Sequence, residues 1–181
     1  TLNEQKRVSV KMNDFPANQV DIAGINVDAH FLLEKLIKDF FQYCRNAFDG
    51  MGQIANSALL ANKRRKADST DFPAMQKAFA QQTYSSVFPD MNTWFQTIAS
   101  APEFQYIDAF NNRTKHTFDV FLKVSLDMFG DGKTTEINPF FRKEVQVDRR
   151  DMSSYLTLVL DFVVKSFDEF FSMSLILYYQ S

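Results

Sequence analysis

Cysteine occurs once, at Cys44, so no disulfide can close within this chain of 181 residues. That fits a reducing compartment. Glycine and proline are scarce at five each, which leaves few turn formers for a sandwich of many short strands. The two histidines, His30 and His116, stand far from each other in sequence and from Cys44, so no close-spaced ligand pair suggests a metal. Gly132-Lys133-Thr134 lacks the upstream glycine and preceding strand of a phosphate-binding loop, and reads as a turn. Charge of one sign is also lacking. The net charge of −2 and a pI near 5.7 give no global positive field to gather nucleic acid. Nor is there a long uncharged apolar run. Leu156 to Tyr179 is interrupted by Asp161, Lys165, Asp168 and Glu169, which a bilayer span would not carry. No secretory-signal pattern opens the chain. These absences predict a cytoplasmic protein that uses no membrane, metal or cofactor.

What the chain has in abundance is phenylalanine, 20 residues in all, arranged mostly at helical spacing. Residues 1–24 are mixed and polar and read as an arm; 25–181 read as one helical domain, long enough to bury a core. The first long helix is expected from Asn26 or Asp28 to near Lys63. Its stripe is Ala29, Leu32, Leu33, Leu36, Phe40, Tyr43, Cys44, Ala47, Met51, Ile54 and Ala58. Gly50 and Gly52 fall in its middle and imply a kink or a close contact. Arg45-Asn46 reads as helix surface. The basic run Lys63 to Lys66 suits a helix C-terminus.

Ser69-Thr70-Asp71 opens a shorter helix, and Asp90 is placed to cap another over Met91 to Ser100. Pro102 to Phe129 follows, with apolar residues at Phe104, Ile107, Phe110, Phe118, Phe121 and Leu122. Lys133 to Arg150 is the least helical stretch and is expected to hold a short extended or hairpin excursion. The last helix, capped by Asp148 or Asp151, runs to about Tyr178. Tyr155, Leu158, Val159, Phe162, Val163, Phe167, Phe170 and Ser174 mark one face; Leu156, Leu160, Val164, Phe171 and Leu175 mark a second. A helix apolar on two faces is central or carries an oligomer interface, which predicts a homodimer. The fold class expected is all-α, with the two long helices flanking the Pro102 helix.

That helix carries Asn111-Asn112-Arg113-Thr114-Lys115-His116, polar groups in a greasy stripe that need partners if they are buried. The run resembles the Arg-Asn-x-x-Lys-His signature of the HEPN superfamily (higher eukaryotes and prokaryotes nucleotide-binding domains). These are helical bundles, many of them metal-independent ribonucleases or toxins. Asn112, Lys115 and His116 agree with the signature, while Asn111 stands where the family has its Arg. The resemblance implies proton transfer by His116, with Arg113 and Asn112 beside it in a catalytic set. It also implies RNA contacts from Asn111 and Lys115. Arg113 lies about 200° round an ideal helix from position 111 and so does not simply replace the missing Arg. It lies about 60° from His116 and shares a face with it.

The departure at Asn111 points to a degenerate HEPN-like module that binds RNA or a protein partner in a bacterial stress or defence system. An active metal-independent ribonuclease or toxin is the first alternative. An unrelated helical interaction protein, whose polar run is a buried network, is the second.

Overall fold

The computed structural model describes residues 19–60, 64–66, 69–115, 122–126 and 133–180, with the backbone alone at 122–126, 133–134 and 178–180. The chain divides into two compact units, the boundary falling between Ile37 and Lys38 inside the first long helix.

In the first unit, β1 (Gln19–Ile22) and β2 (Ile25–Asp28) form an antiparallel hairpin with Val20 opposite Val27. Its two-residue turn puts Ala23 at φ 54° and Gly24 at φ 84°, the left-handed pair that a tight hairpin requires. Asp21 supports the turn by accepting from Gly24 N at 2.9 Å. Asp28 then accepts from Phe31 N at 2.8 Å and so caps α1 (Ala29–Leu59).

The second unit holds the rest of α1, then α2 (Phe72–Phe79), α3 (Gln82–Ser85), α4 (Pro89–Ser100) and α5 (Pro102–Lys115). After α5 come β3 (Leu122–Leu126), β4 (Lys133–Ile137), β5 (Phe140–Arg142), β6 (Val145–Val147), β7 (Arg150–Asp151) and α6 (Met152–Gln180). Strands β3, β4 and β7 make one antiparallel sheet in that order, and β5 pairs with β6 as a hairpin.

The all-α expectation is therefore corrected: the fold is mixed, predominantly helical with small antiparallel sheets. The helix expected to run from Pro102 to Phe129 stops at Lys115 among the described residues, and Leu122–Leu126 is a strand. Leu-Lys-Val-Ser-Leu alternates with period two, and Lys-Thr-Thr-Glu-Ile pairs with it across β4. Apolar residues at Phe121 and Leu122 fit a helical stripe only while that alternation is overlooked.

The core is an aromatic ladder. Phe72, fully buried, meets Phe48 at 5.6 Å, Phe95 at 5.1 Å and Phe104 at 4.5 Å between ring centroids. Trp94 joins it to Phe170 of α6, and Phe41 stacks obliquely on Phe110 at 4.4 Å. The inward face of α1 is Phe41, Cys44, Phe48, Met51 and Ala55, one residue out of step with most of the expected stripe. Tyr43 and Ile54 are exposed instead.

Caps are local and short. Asp71 accepts from Ala74 N at 2.9 Å to start α2, and Asp151 accepts from Ser153 N at 2.9 Å to start α6. Asp90 does not cap α4; it lies in the first turn, behind Phe88 and Pro89. No helix among the described residues is long and apolar enough to cross a membrane.

Candidate functional site

Arg45 sits on the inward face of α1, between Cys44 and Phe48, and only 6% of it is exposed. A guanidinium cannot be neutralised in a protein, so its burial requires carboxylates. Two supply them. One turn along α1, Asp49 accepts from Nη1 of Arg45. From α5, Asp108 accepts from Nε at 3.3 Å. The face of Phe104 lies 5.7 Å from the guanidinium carbon and completes its surroundings.

Asp108 is the hub. Its Oδ2 forms an ion pair with Arg142 Nη2 of the β5–β6 hairpin at 2.5 Å, and its Oδ1 accepts from Asn112 Nδ2 at 3.1 Å. The same amide donates to the Asp108 carbonyl at 2.8 Å. Asp49 meanwhile accepts from Phe72 N at 2.7 Å, at the N-terminus of α2. Two arginines and two aspartates thus tie α1, α2, α5 and the β5–β6 hairpin together with no net charge. Arg45, read from the sequence as helix surface, is the centre of this network.

The network floors one side of a half-open cleft of about 700 Å³. Its walls include Tyr106 and Asp108 of α5, Arg142 and Lys143 of the hairpin, and Asp148 and Arg150 beyond it. The Arg150 guanidinium carbon stands 5.9 Å from the Tyr106 ring and 5.3 Å from the Tyr155 ring. The two rings meet edge to face at 4.9 Å. Burial pushes both phenols up from their ordinary range, and the Arg150 charge partly opposes this. Cys44, buried beside the network, has its thiol pushed up to about 11 by desolvation, so it carries no thiolate near neutral pH. No group of three or more His, Cys, Asp or Glu able to hold a metal occurs among the described residues.

The motif residues separate. Asn111, where the signature has its Arg, is buried, and its Oδ1 receives no hydrogen bond among the described residues. Asn112 is committed to Asp108. Arg113 is half-buried and Lys115 exposed on the last turn of α5. His116 lies outside the described residues. Asp49 serves Arg45 and the start of α2.

Arg45, Asp108, Tyr106 and Arg150 were not singled out by sequence reasoning. A signal for Arg45 existed: it interrupts the Phe41-Cys44-Phe48 seam, where a charge demands a partner. Asp108 likewise interrupts Ile107, Ala109 and Phe110. No family model, curated protein or solved structure is similar to the chain.

Proposed function

We propose that this chain is a degenerate HEPN-like module that binds RNA without cutting it, works as a homodimer and belongs to a cytoplasmic stress or defence system. One observation carries the non-cleaving part. Asn112, an amide that the resemblance places in the catalytic set, donates both of its hydrogen bonds to Asp108 inside a buried charge network. Asn111 at the phosphate-clamping position is neutral and buried as well. A transition state built on phosphate charge needs a fixed cation there, and losing one such contact costs roughly 3–4 kcal/mol, a hundredfold or more in rate. Lys115, exposed at the end of α5, remains a suitable contact for a phosphate.

The dimer is supported by α6. Leu160, Val164, Phe167, Phe171 and Leu175 form a stripe spaced four, three, four and four residues apart, each 41–52% exposed. The stripe lies about a third of a turn from the buried Val159, Ser166 and Phe170. Phe167 and Phe171 stack at 6.0 Å. Half-exposed side chains of this size offer on the order of 400 Å² of apolar area. That matches the apolar share of a standard interface, which buries about 800 Å² per partner. A second copy of the same helix presents the complementary seam.

The test is fluorescence anisotropy with labelled single-stranded RNA, beside a metal-free cleavage assay on the same strand. Saturable binding that weakens with salt and with Lys115→Ala, and no cleavage, is the expected result. Asn111→Arg is not a clean probe here, because it would force a cation into the core. Cleavage that His116→Ala abolishes would instead establish an active ribonuclease. Absence of any RNA binding would favour a helical interaction protein.

A further inference from the structure

The basic run that suits a helix C-terminus in the sequence does not form one. Helix α1 ends at Leu59 with no basic residue in its last turn, and Arg64 comes five residues later. A helix dipole acts only within that turn, so Arg64, Arg65 and Lys66 do not serve it. Nor is the segment a loose linker. Asn56, 4% exposed, gives both ends of its amide to the backbone of Arg65. Its Oδ1 accepts from Arg65 N at 2.7 Å, and its Nδ2 donates to the Arg65 carbonyl at 3.0 Å. Arg65 Nη1 in turn donates to the Ala74 carbonyl of α2 at 3.3 Å. The Lys66 carbonyl accepts from Ser69 N at 2.9 Å.

Pinned at its backbone, the segment presents cations to solvent. Arg64, Arg65 and Lys66 are all exposed, and Lys77 is exposed on α2 about one turn beyond Ala74. None of the four forms an ion pair among the described residues. Asp71 offers them little, because its carboxylate accepts from Ala74 N as the cap of α2. Like charges held on adjoining segments repel one another, and a polyanion relieves that repulsion. A chain of net charge −2 attracts no polyanion as a whole, so any attraction has to come from a local field such as this one.

We infer that this segment is a contact surface for the phosphate backbone of single-stranded RNA, which rests on the RNA reading above and adds a second region to Lys115. Arg64, Arg65, Lys66 and Lys77 neutralise phosphodiester charges, and such contacts set affinity without reading base sequence. Asn56 and the Ala74 carbonyl hold the cations in place before the strand arrives, which lowers the ordering cost of binding. Each phosphate contact on a single strand contributes about 0.7 to the slope of log affinity against log salt.

The test is a triple variant, Arg64→Gln with Lys66→Gln and Lys77→Gln, which leaves Arg65 and its bonds to Asn56 and Ala74 in place. Arg149→Gln with Lys165→Gln is its comparison and removes exposed cations from other elements. Fluorescence anisotropy of a labelled oligouridine with the full chain is followed over a salt series, with melting temperatures measured alongside. The triple variant should bind about tenfold more weakly at low salt, with a salt slope shallower by about 2 and the parental melting temperature. The comparison variant should keep the parental slope. A parent that binds the oligouridine, with a triple variant of the same affinity or the same slope, refutes the surface and leaves the RNA reading intact. A parent that binds no RNA removes both. A triple variant that loses heparin but keeps RNA would assign the surface to another polyanion and overturn the assignment.

Discussion

The two long helices invert each other. The 31-residue α1 carries an arginine, and Asn56 further along, into the interior, while the 29-residue α6 presents two stacked phenylalanines to solvent. Neither arrangement follows from hydrophobicity alone. Arg45 is inside because Asp49 and Asp108 meet it there; Asn56 is inside because it donates to the Arg65 carbonyl at 3.0 Å and accepts from Arg65 N at 2.7 Å. Polarity is buried where partners are supplied, and apolar surface stays outside where none is. The contrast teaches that α1 is specified by pairing and α6 by an unfilled need for contact.

The largest effect should come from breaking the pairing. Asp108→Ala leaves Arg45 buried with one carboxylate instead of two, strips Arg142 of its partner and leaves Asn112 only the main-chain carbonyl of residue 108. Removing one partner of a buried ion pair costs about 3–5 kcal/mol. In a domain of this size that is a fall in melting temperature of roughly 6–20 °C. The double change Arg45→Met with Asp108→Leu replaces the charge cluster with apolar bulk and should recover much of the loss. Urea titration of both variants decides the matter. A single variant within about 1 kcal/mol of the parent would mean the network carries little of the fold.

A smaller effect on folding, and a large one on association, is expected on α6. Phe171→Glu puts a charge on the exposed stripe. Light scattering should then report 21.0 kDa, against the doubled mass expected of the parent as the proposed dimer. The variant's monomer should unfold within about 0.5 kcal/mol of the parent's intrinsic stability, as a surface change does. A parent that scatters as a monomer across a wide concentration range would remove the homodimer and leave the stripe without an occupant.

The same two helices mark how far the sequence could be read. Of the second apolar face of α6, Leu160, Val164, Phe171 and Leu175 lie on the exposed side of the helix while Leu156 is half-buried, and Leu158 and Phe167, read with the first face, are exposed as well. Which apolar face is the inner one is not legible. On α1 two interleaved stripes, Phe40-Tyr43 and Phe41-Cys44-Phe48, compete at nearly equal hydrophobicity. The winning stripe contains the charge that a pattern reading rejects. Capping at Asp71 and Asp151 is legible because it needs only neighbours in sequence. The Asp108 cluster joins residues as far apart as Arg45 and Arg142, so no local pattern could assemble it. Strand β3 was missed for another reason, its period-two alternation running on from a helical stripe rich in the same residues, whereas the β5–β6 hairpin falls in the stretch where an excursion was expected.

The last and smallest effect separates two glycines of α1 that look alike in sequence. A methyl group at Gly50 would meet nothing within 4 Å. At Gly52 it would lie 3.2 Å from the Thr70 carbonyl oxygen and 3.3 Å from Met75 Cγ. Alanine gains about 1 kcal/mol over glycine in a helix interior at either position, through backbone entropy. Gly50→Ala should therefore stabilise by about that much. Gly52→Ala has the same gain opposed by overpacking, roughly 1–3 kcal/mol, because the neighbour is backbone and cannot swing aside. The obstructing segment leads into α2, whose Phe72 N donates to Asp49, so displacing it also stretches one bond of the charge network. The informative quantity is the difference between the two variants, from which the shared helix gain cancels. A gap of about 1–3 kcal/mol in favour of Gly50→Ala is expected from urea unfolding. Equal stabilisation by both would show that the 70–75 segment yields freely, and that its approach to α1 is not fixed by the missing side chain.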